Sequence, residues 1–239
     1  MGTREFLRRY AYVYCYVAAF FLVCAAVLRH SVEVSGEIEN FGSIPVIVID
    51  AGHGSPDGGA TGVTGAREDE LNLQIAKRLD ALLSLMGYET VMTRTGGDCI
   101  ATEGDTIRQK KLSDLRNRVA LINALPAAVV VSIHQNHFPD GKYAGPQVFY
   151  TGDAEELARS MQESLSQWLF PGSNRTVKKT SGVYLMEHIR HPGILVECGF
   201  LSNADEERKL QSAEHQKIIA VIISAVLTDG AANIGKSPA

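Results

Sequence analysis

Apolar and polar positions fall into two kinds of block along this chain. Val46-Ile-Val-Ile49 is an unbroken apolar run, Gly193-Ile-Leu-Val196 is another, and Ala127–Ile133 is apolar except at Ser132. Such short runs predict strands buried on both faces. Tyr88–Thr93 predicts a second strand, Gly145–Tyr150 a shorter, less buried one, and Val183–Met186 a short edge strand. Between them, apolar residues recur at spacings of three and four. Leu71, Ile75, Leu79, Leu82, Leu83 and Met86 mark one helix face, opened by the run Arg67-Glu68-Asp69-Glu70 and stopped at Gly87. Leu112, Leu115, Val119 and Ile122 mark a second helix, ending before Pro126. Glu155–Leu169, Ala204–Leu210 and His215–Leu227 predict three more. Strand and helix alternate, which predicts a single α/β domain over residues 45–229: a mainly parallel, twisted sheet with helices on both faces.

The pattern differs at both ends. Tyr10–Leu28 carries no charge, while Arg4, Arg8 and Arg9 precede it. As a helix it would span about 28 Å, close to one hydrocarbon core. Its basic flank fits a cytoplasmic start. Residues 1–29 therefore read as an N-terminal transmembrane anchor, or as a signal segment cleaved near Ala25 or Ala26. Either reading makes the protein exported. Residues 30–44 are polar and without periodicity, a linker, and residues 230–239 are small and polar, a frayed tail.

Composition changes this picture little. The 239 residues carry a net charge of −4 and are 45% hydrophobic, ordinary for one sizeable domain. No basic footprint for nucleic acid is present. The four cysteines form no Cys-x-x-Cys pair, which argues against a cysteine zinc site or a disulfide framework.

The candidate chemistry lies where strands stop. The first run ends in Asp50-Ala-Gly-His-Gly54, a histidine between glycines, and the third strand ends in His134. Open α/β sheets place sites at the carboxyl edge of their strands. Zinc is commonly held by His and Glu with one position left for water. His53, Glu68 and His134 are such a set, although each alone has a bland reading as a turn histidine or a helix-opening carboxylate. Glu197 interrupts an apolar strand. A carboxylate there is costly unless it is paired or used. An ion pair with Arg94 or Arg118 is one explanation, and general-base work beside a metal is the other.

Several blocks together resemble the zinc-dependent N-acetylmuramoyl-L-alanine amidases of the type-3 family. They are Asp50-x-Gly-His-Gly54, Glu68 with Asn72, Thr93-Arg94, Arg118 with Asn123, Ser132-Ile-His-x-Asn136 and Val196-Glu-x-Gly-Phe-Leu-Ser-Asn203, in family order across Val46–Leu227. The resemblance implies zinc held by His53, Glu68 and His134, with Glu197 as the catalytic glutamate. It gives no ligand role to Glu70, His137, His188 or His191. Asn136, Arg94, Arg118 and Arg175 become candidates for contacting substrate or orienting the ligands. Ser55 departs from the Gly-Gly common in cell-division members.

The anchor, the polar excursion 96–111, Gln147-Val-Phe-Tyr150 and the Arg175/Lys178/Tyr184 region resemble the sporulation-specific branch. That implies a peptidoglycan substrate and cleavage between the lactyl group of N-acetylmuramic acid and L-alanine. It further implies a part in forming muramic δ-lactam in spore cortex, needed for germination. No wall-binding repeats are evident, so targeting falls to the anchor or to an activating protein partner. Two rival readings are a non-catalytic peptidoglycan-binding protein and a zinc carboxypeptidase or aminopeptidase on a similar sheet.

Overall fold

A computed structural model of the chain describes residues 45–231. The expected anchor (1–29), the linker and all but the start of the tail lie outside the described residues. Within them, no helix is long and apolar enough to cross a membrane. The elements run β1 (Val46–Ala51), α1 (Glu68–Leu85), β2 (Thr90–Met92), α2 (Ile107–Asn123), β3 (Ala128–Asn136), β4 (Gln147–Thr151), α3 (Glu155–Leu169), β5 (Lys178–Lys179), α4 (Tyr184–His188), β6 (Gly193–Phe200), α5 (Ala204–Leu210) and α6 (Ala213–Ala231).

One six-stranded sheet is ordered β2-β1-β3-β6-β4-β5. β2, β1, β3 and β6 are mutually parallel. β4 runs antiparallel to β6, and β5 follows β4. The sheet is thus mixed, its parallel part being the four strands β2, β1, β3 and β6. Side chains of a strand alternate between faces. Ile47, Ile49 and Ala51 accordingly share one core with Ile75 and Leu79 of α1, Met161 of α3 and Ile223 of α6. Val48 and Val130 share another with Ile122 of α2 and Leu185 of α4.

Three sequence expectations change. Val183–Met186 is not an edge strand. Tyr184–His188 forms a helical turn, with Leu185 and Met186 buried and the Tyr184 ring stacked 4.0 Å from that of His188. The edge is Lys178–Lys179 instead. The second helix also turns differently: α2 buries Ser113, Asp114, Arg118 and Ile122. Its deepest face is largely polar because Arg118 and Asp114 satisfy one another there, at 2.9 Å. Leu112, placed on the buried face by its spacing, is 39% exposed, and Met86 is exposed at the end of α1.

That difference is measurable. Leu79→Ala opens a cavity in the main core and should cost about 2–5 kcal/mol of unfolding free energy in urea titration. Leu112→Ala should cost about 0.5 kcal/mol or less. Equal losses would restore Leu112 to the core.

Candidate active site

The site forms where β1, β3 and β6 end. Asp50, the one polar residue of β1, is buried and accepts from Arg118 Nη1 at 2.8 Å, Ser132 Oγ at 2.6 Å and Thr93 Oγ1 at 2.7 Å. Burial acts to raise its pKa, but Arg118 and the two hydroxyls outweigh burial and bring it down to about 2. Beyond it the chain turns sharply. His53 has φ +61, in the left-handed region that few side chains adopt. Two arginines hold this turn. Arg118 donates to the carbonyls of Ala51 and His53. Arg94 donates to those of Ala51, Gly52, Gly96 and Asp69.

The turn delivers the His53 ring to Glu68, the first residue of α1. His53 Nε2 lies 3.2 Å from Glu68 Oε1, and His134 Nδ1 lies 2.9 Å from the same oxygen. The other Glu68 oxygen accepts from Ala60 N at 2.8 Å. Burial acts to raise the Glu68 pKa, but the two imidazoles hold it well below the usual carboxylate range. His53 Nδ1 faces Asp57 Oδ2 at 2.9 Å, and Lys111 pairs with Asp57 at 2.9 Å. Burial acts to lower the His53 pKa, and its two carboxylate partners raise it to about 9.

One ligand-capable atom from each of His53, Glu68 and His134 lies within 4.8 Å of the others. Tetrahedral zinc with ligand bonds near 2.0–2.1 Å requires separations of about 3.3 Å. The donor types suit such an ion, and the separations of the two imidazole nitrogens from Glu68 Oε1, 3.2 and 2.9 Å, lie near that value. Two glycines make room. A Cβ at Gly52 would collide with the His134 ring, and one at Gly59 (φ +66) with Glu68 and His53.

Glu197 is the Cα partner of His134 on the adjacent parallel strand. Its Oε2 is buried without a hydrogen-bond partner among the described residues. Burial pushes its pKa up to about 7. The ion pair with Arg94 or Arg118 does not form, since Arg118 is spent on Asp50 and Asp114 and Arg94 on carbonyls.

The structure thus gathers His53, Glu68, His134 and Glu197, and sets Arg94 and Arg118 beneath them. Asn136 ends β3 at the rim, its carbonyl accepting from Leu201 N at 2.8 Å. Arg175 lies one strand further along. It donates to Ala144 O at 3.1 Å and stands 5.1 Å over the Phe200 ring. His188 and His191 turn away to the carbonyls of Tyr184 and Leu125.

Sequence reasoning missed Asp57, Gln135 and Glu207. Gln135 N donates to Glu68 Oε1 at 3.2 Å, and its side chain donates to Asn72 at 3.1 Å. Glu207 of α5 is fully buried and accepts from Thr64 N, Thr64 Oγ1 and Ala66 N. It clamps the loop that joins His53 to Glu68. Its one signal in the sequence is an acidic run in a short helix, which capping explains equally well.

Residues 47–229 match the family described as N-acetylmuramoyl-L-alanine amidase. The germination-specific N-acetylmuramoyl-L-alanine amidase of Bacillus subtilis (strain 168) is 37% identical over 187 residues, 76% of this chain and 78% of that protein. The CwlD amidase from Clostridioides difficile, solved in complex with the GerS lipoprotein, is 35% identical with a TM-score of 0.74, over 77% of this chain and 97% of that one. The N-acetylmuramoyl-L-alanine amidase from Clostridium difficile 630 is 28% identical with a TM-score of 0.69, over 80% and 98%. Fold, residue blocks and relatives agree, and the chain belongs to the N-acetylmuramoyl-L-alanine amidase family as a peptidoglycan amidase.

Proposed function

We propose that this amidase is zinc-dependent and hydrolyses the amide between the lactyl group of N-acetylmuramic acid and L-alanine in spore cortex precursor, preparing muramic δ-lactam. The observation that carries the reading is the buried, unpartnered Glu197 oxygen beside His134. An oxygen left without a partner in an apolar strand is costly, and a water molecule to deprotonate gives it a use.

His53, Glu68 and His134 would hold the zinc. Bound there, zinc supplies Lewis-acid polarisation of the amide carbonyl and of the attacking water. Glu197 takes the water's proton at Oε2 and returns it to the departing amine of L-alanine. Asp57 engages His53 Nδ1, which would leave Nε2 as the atom that holds the ion. Arg94 and Arg118 act through the backbone of the His53 turn. Asn136 and Arg175 stand at the rim, where the substrate's amides and carboxylates pass. Residues 1–29 anchor the domain outside the cytoplasmic membrane, facing the cortex space. A lipoprotein partner fits the same reading, by analogy with the complex of the CwlD amidase with GerS.

In purified protein, His134→Ala should lose zinc at chelator concentrations the parent survives, and unchanged zinc by elemental analysis would remove His134 from the ligand set. Glu197→Gln should keep zinc and melting temperature while hydrolysis of muropeptides falls about 10²–10⁴-fold. Mass spectrometry should find the parent's products to be intact stems with an N-terminal alanine. A zinc-loaded Glu197→Gln protein with near-parental turnover would end its role as base. Glu207→Gln, which sets an amide donor against the N–H groups of Thr64 and Ala66, should also weaken zinc retention; a lower melting temperature with parental zinc affinity would limit Glu207 to stability.

A further inference from the structure

The connection 137–146 leads from β3 to β4 and carries two exposed aromatic rings. Phe138 is 48% and Tyr143 39% exposed. Their centroids lie 4.8 Å apart at 79°, and Tyr143 stacks on Phe200 at 6.2 Å. Connections of this kind are usually the mobile parts of a fold. This one is tied down along its length by residues just past β6. Phe138 N donates to Ser202 Oγ at 3.1 Å, Asn203 Nδ2 donates to Gly141 O at 2.8 Å, and Gly145 N donates to Glu206 Oε2 at 2.9 Å. The same Glu206 oxygen accepts from Phe200 N at 2.8 Å. Two rings are therefore held in place in water, on a loop that begins directly after Asn136.

We infer that Phe138 and Tyr143 form a ledge that binds a sugar ring of the glycan strand, beside the ring whose lactyl group is cleaved. The inference rests on the proposed reaction, since that amide stands only a few bonds from a pyranose. At about 3.4 Å per residue, Phe138 lies no more than about 14 Å along the chain from His134. A pyranose presents C–H bonds on one face and hydroxyls around its edge. The C–H face suits the electron-rich face of an aromatic ring, and the hydroxyls suit Asp140 and Lys142 on the same loop. Lys142 sits 5.3 Å from the Tyr143 centroid on a side chain that is 70% exposed, so it yields readily to a ligand. The size of the patch also favours a sugar. Two half-exposed rings offer about 200 Å², well short of the roughly 800 Å² per side of a stable protein interface.

The test compares two substrates with the same stem peptide, one on a single muramic acid and one on a glycan chain of several disaccharides. In the zinc-loaded enzyme, Phe138→Ala and Tyr143→Ala should each raise KM for the long chain about tenfold. Neither should change kcat or the single-sugar KM, and Phe138→Trp should restore the long-chain value. Unchanged long-chain kinetics would overturn the ledge and leave the rings to a protein partner. Equal losses on both substrates would overturn it as well, showing damage to the site itself. Calorimetry with peptide-free glycan reads the ledge without catalysis: binding should weaken in Phe138→Ala. A parent that binds this glycan but hydrolyses neither substrate would refute the proposed reaction and not the ledge.

Discussion

Arg118 reaches from α2 to the end of the sheet and meets Asp50, and the site hangs from that buried pair. Asp50 also takes hydroxyls from β3 and from the end of β2, so one carboxylate joins three strands and a helix. Desolvating two charges is costly, and removing one partner of such a pair typically costs about 3–5 kcal/mol because the other is stranded. Here the other guanidinium donors go to Asp114 and to the carbonyls of Ala51 and His53. The pair therefore sets the path of the backbone at the point where a histidine must adopt a glycine-like conformation.

The loop from His53 to Glu68 is fixed at several points along its length. Arg94 and Arg118 hold its start, Glu68 holds Ala60, and Glu207 holds Thr64 and Ala66. Gly52, just before the loop, and Gly59, within it, leave room for imidazole and carboxylate but not for a methyl group. A site built this way is organised before anything binds, which reduces the ordering cost of binding.

The strands and their ends are legible in the chain because buried parallel strands are continuous apolar runs, and a histidine or glutamate inside or after one stands out. The family blocks supply the rest of the ligand choice. Less legible is α2, whose apolar spacing points to Leu112 while the fold buries Asp114 and Arg118. Hydrophobic periodicity is blind to polar residues that satisfy one another. The Tyr184–His188 turn reads as a strand in the sequence because four residues carry too little periodicity to separate the two. Asp57 and Glu207 are hidden for another reason. Their partners are chosen by tertiary approach, and Glu207 meets a loop 141 to 143 residues away in sequence.

The reversed direction of β4 has its own consequence. In a wholly parallel sheet, a chain leaving the carboxyl end of β3 must travel back along the sheet before it can begin another strand, and a helix ordinarily makes that journey. Because β4 is antiparallel, it starts at the edge where β3 stops, with β6 between them. The connection 137–146 is thus a bridge over the end of β6 and never leaves the working edge. Strand polarity here decides which surface a loop can occupy: reversing one strand releases a stretch of chain from the task of crossing the fold and leaves it standing at the mouth of the site.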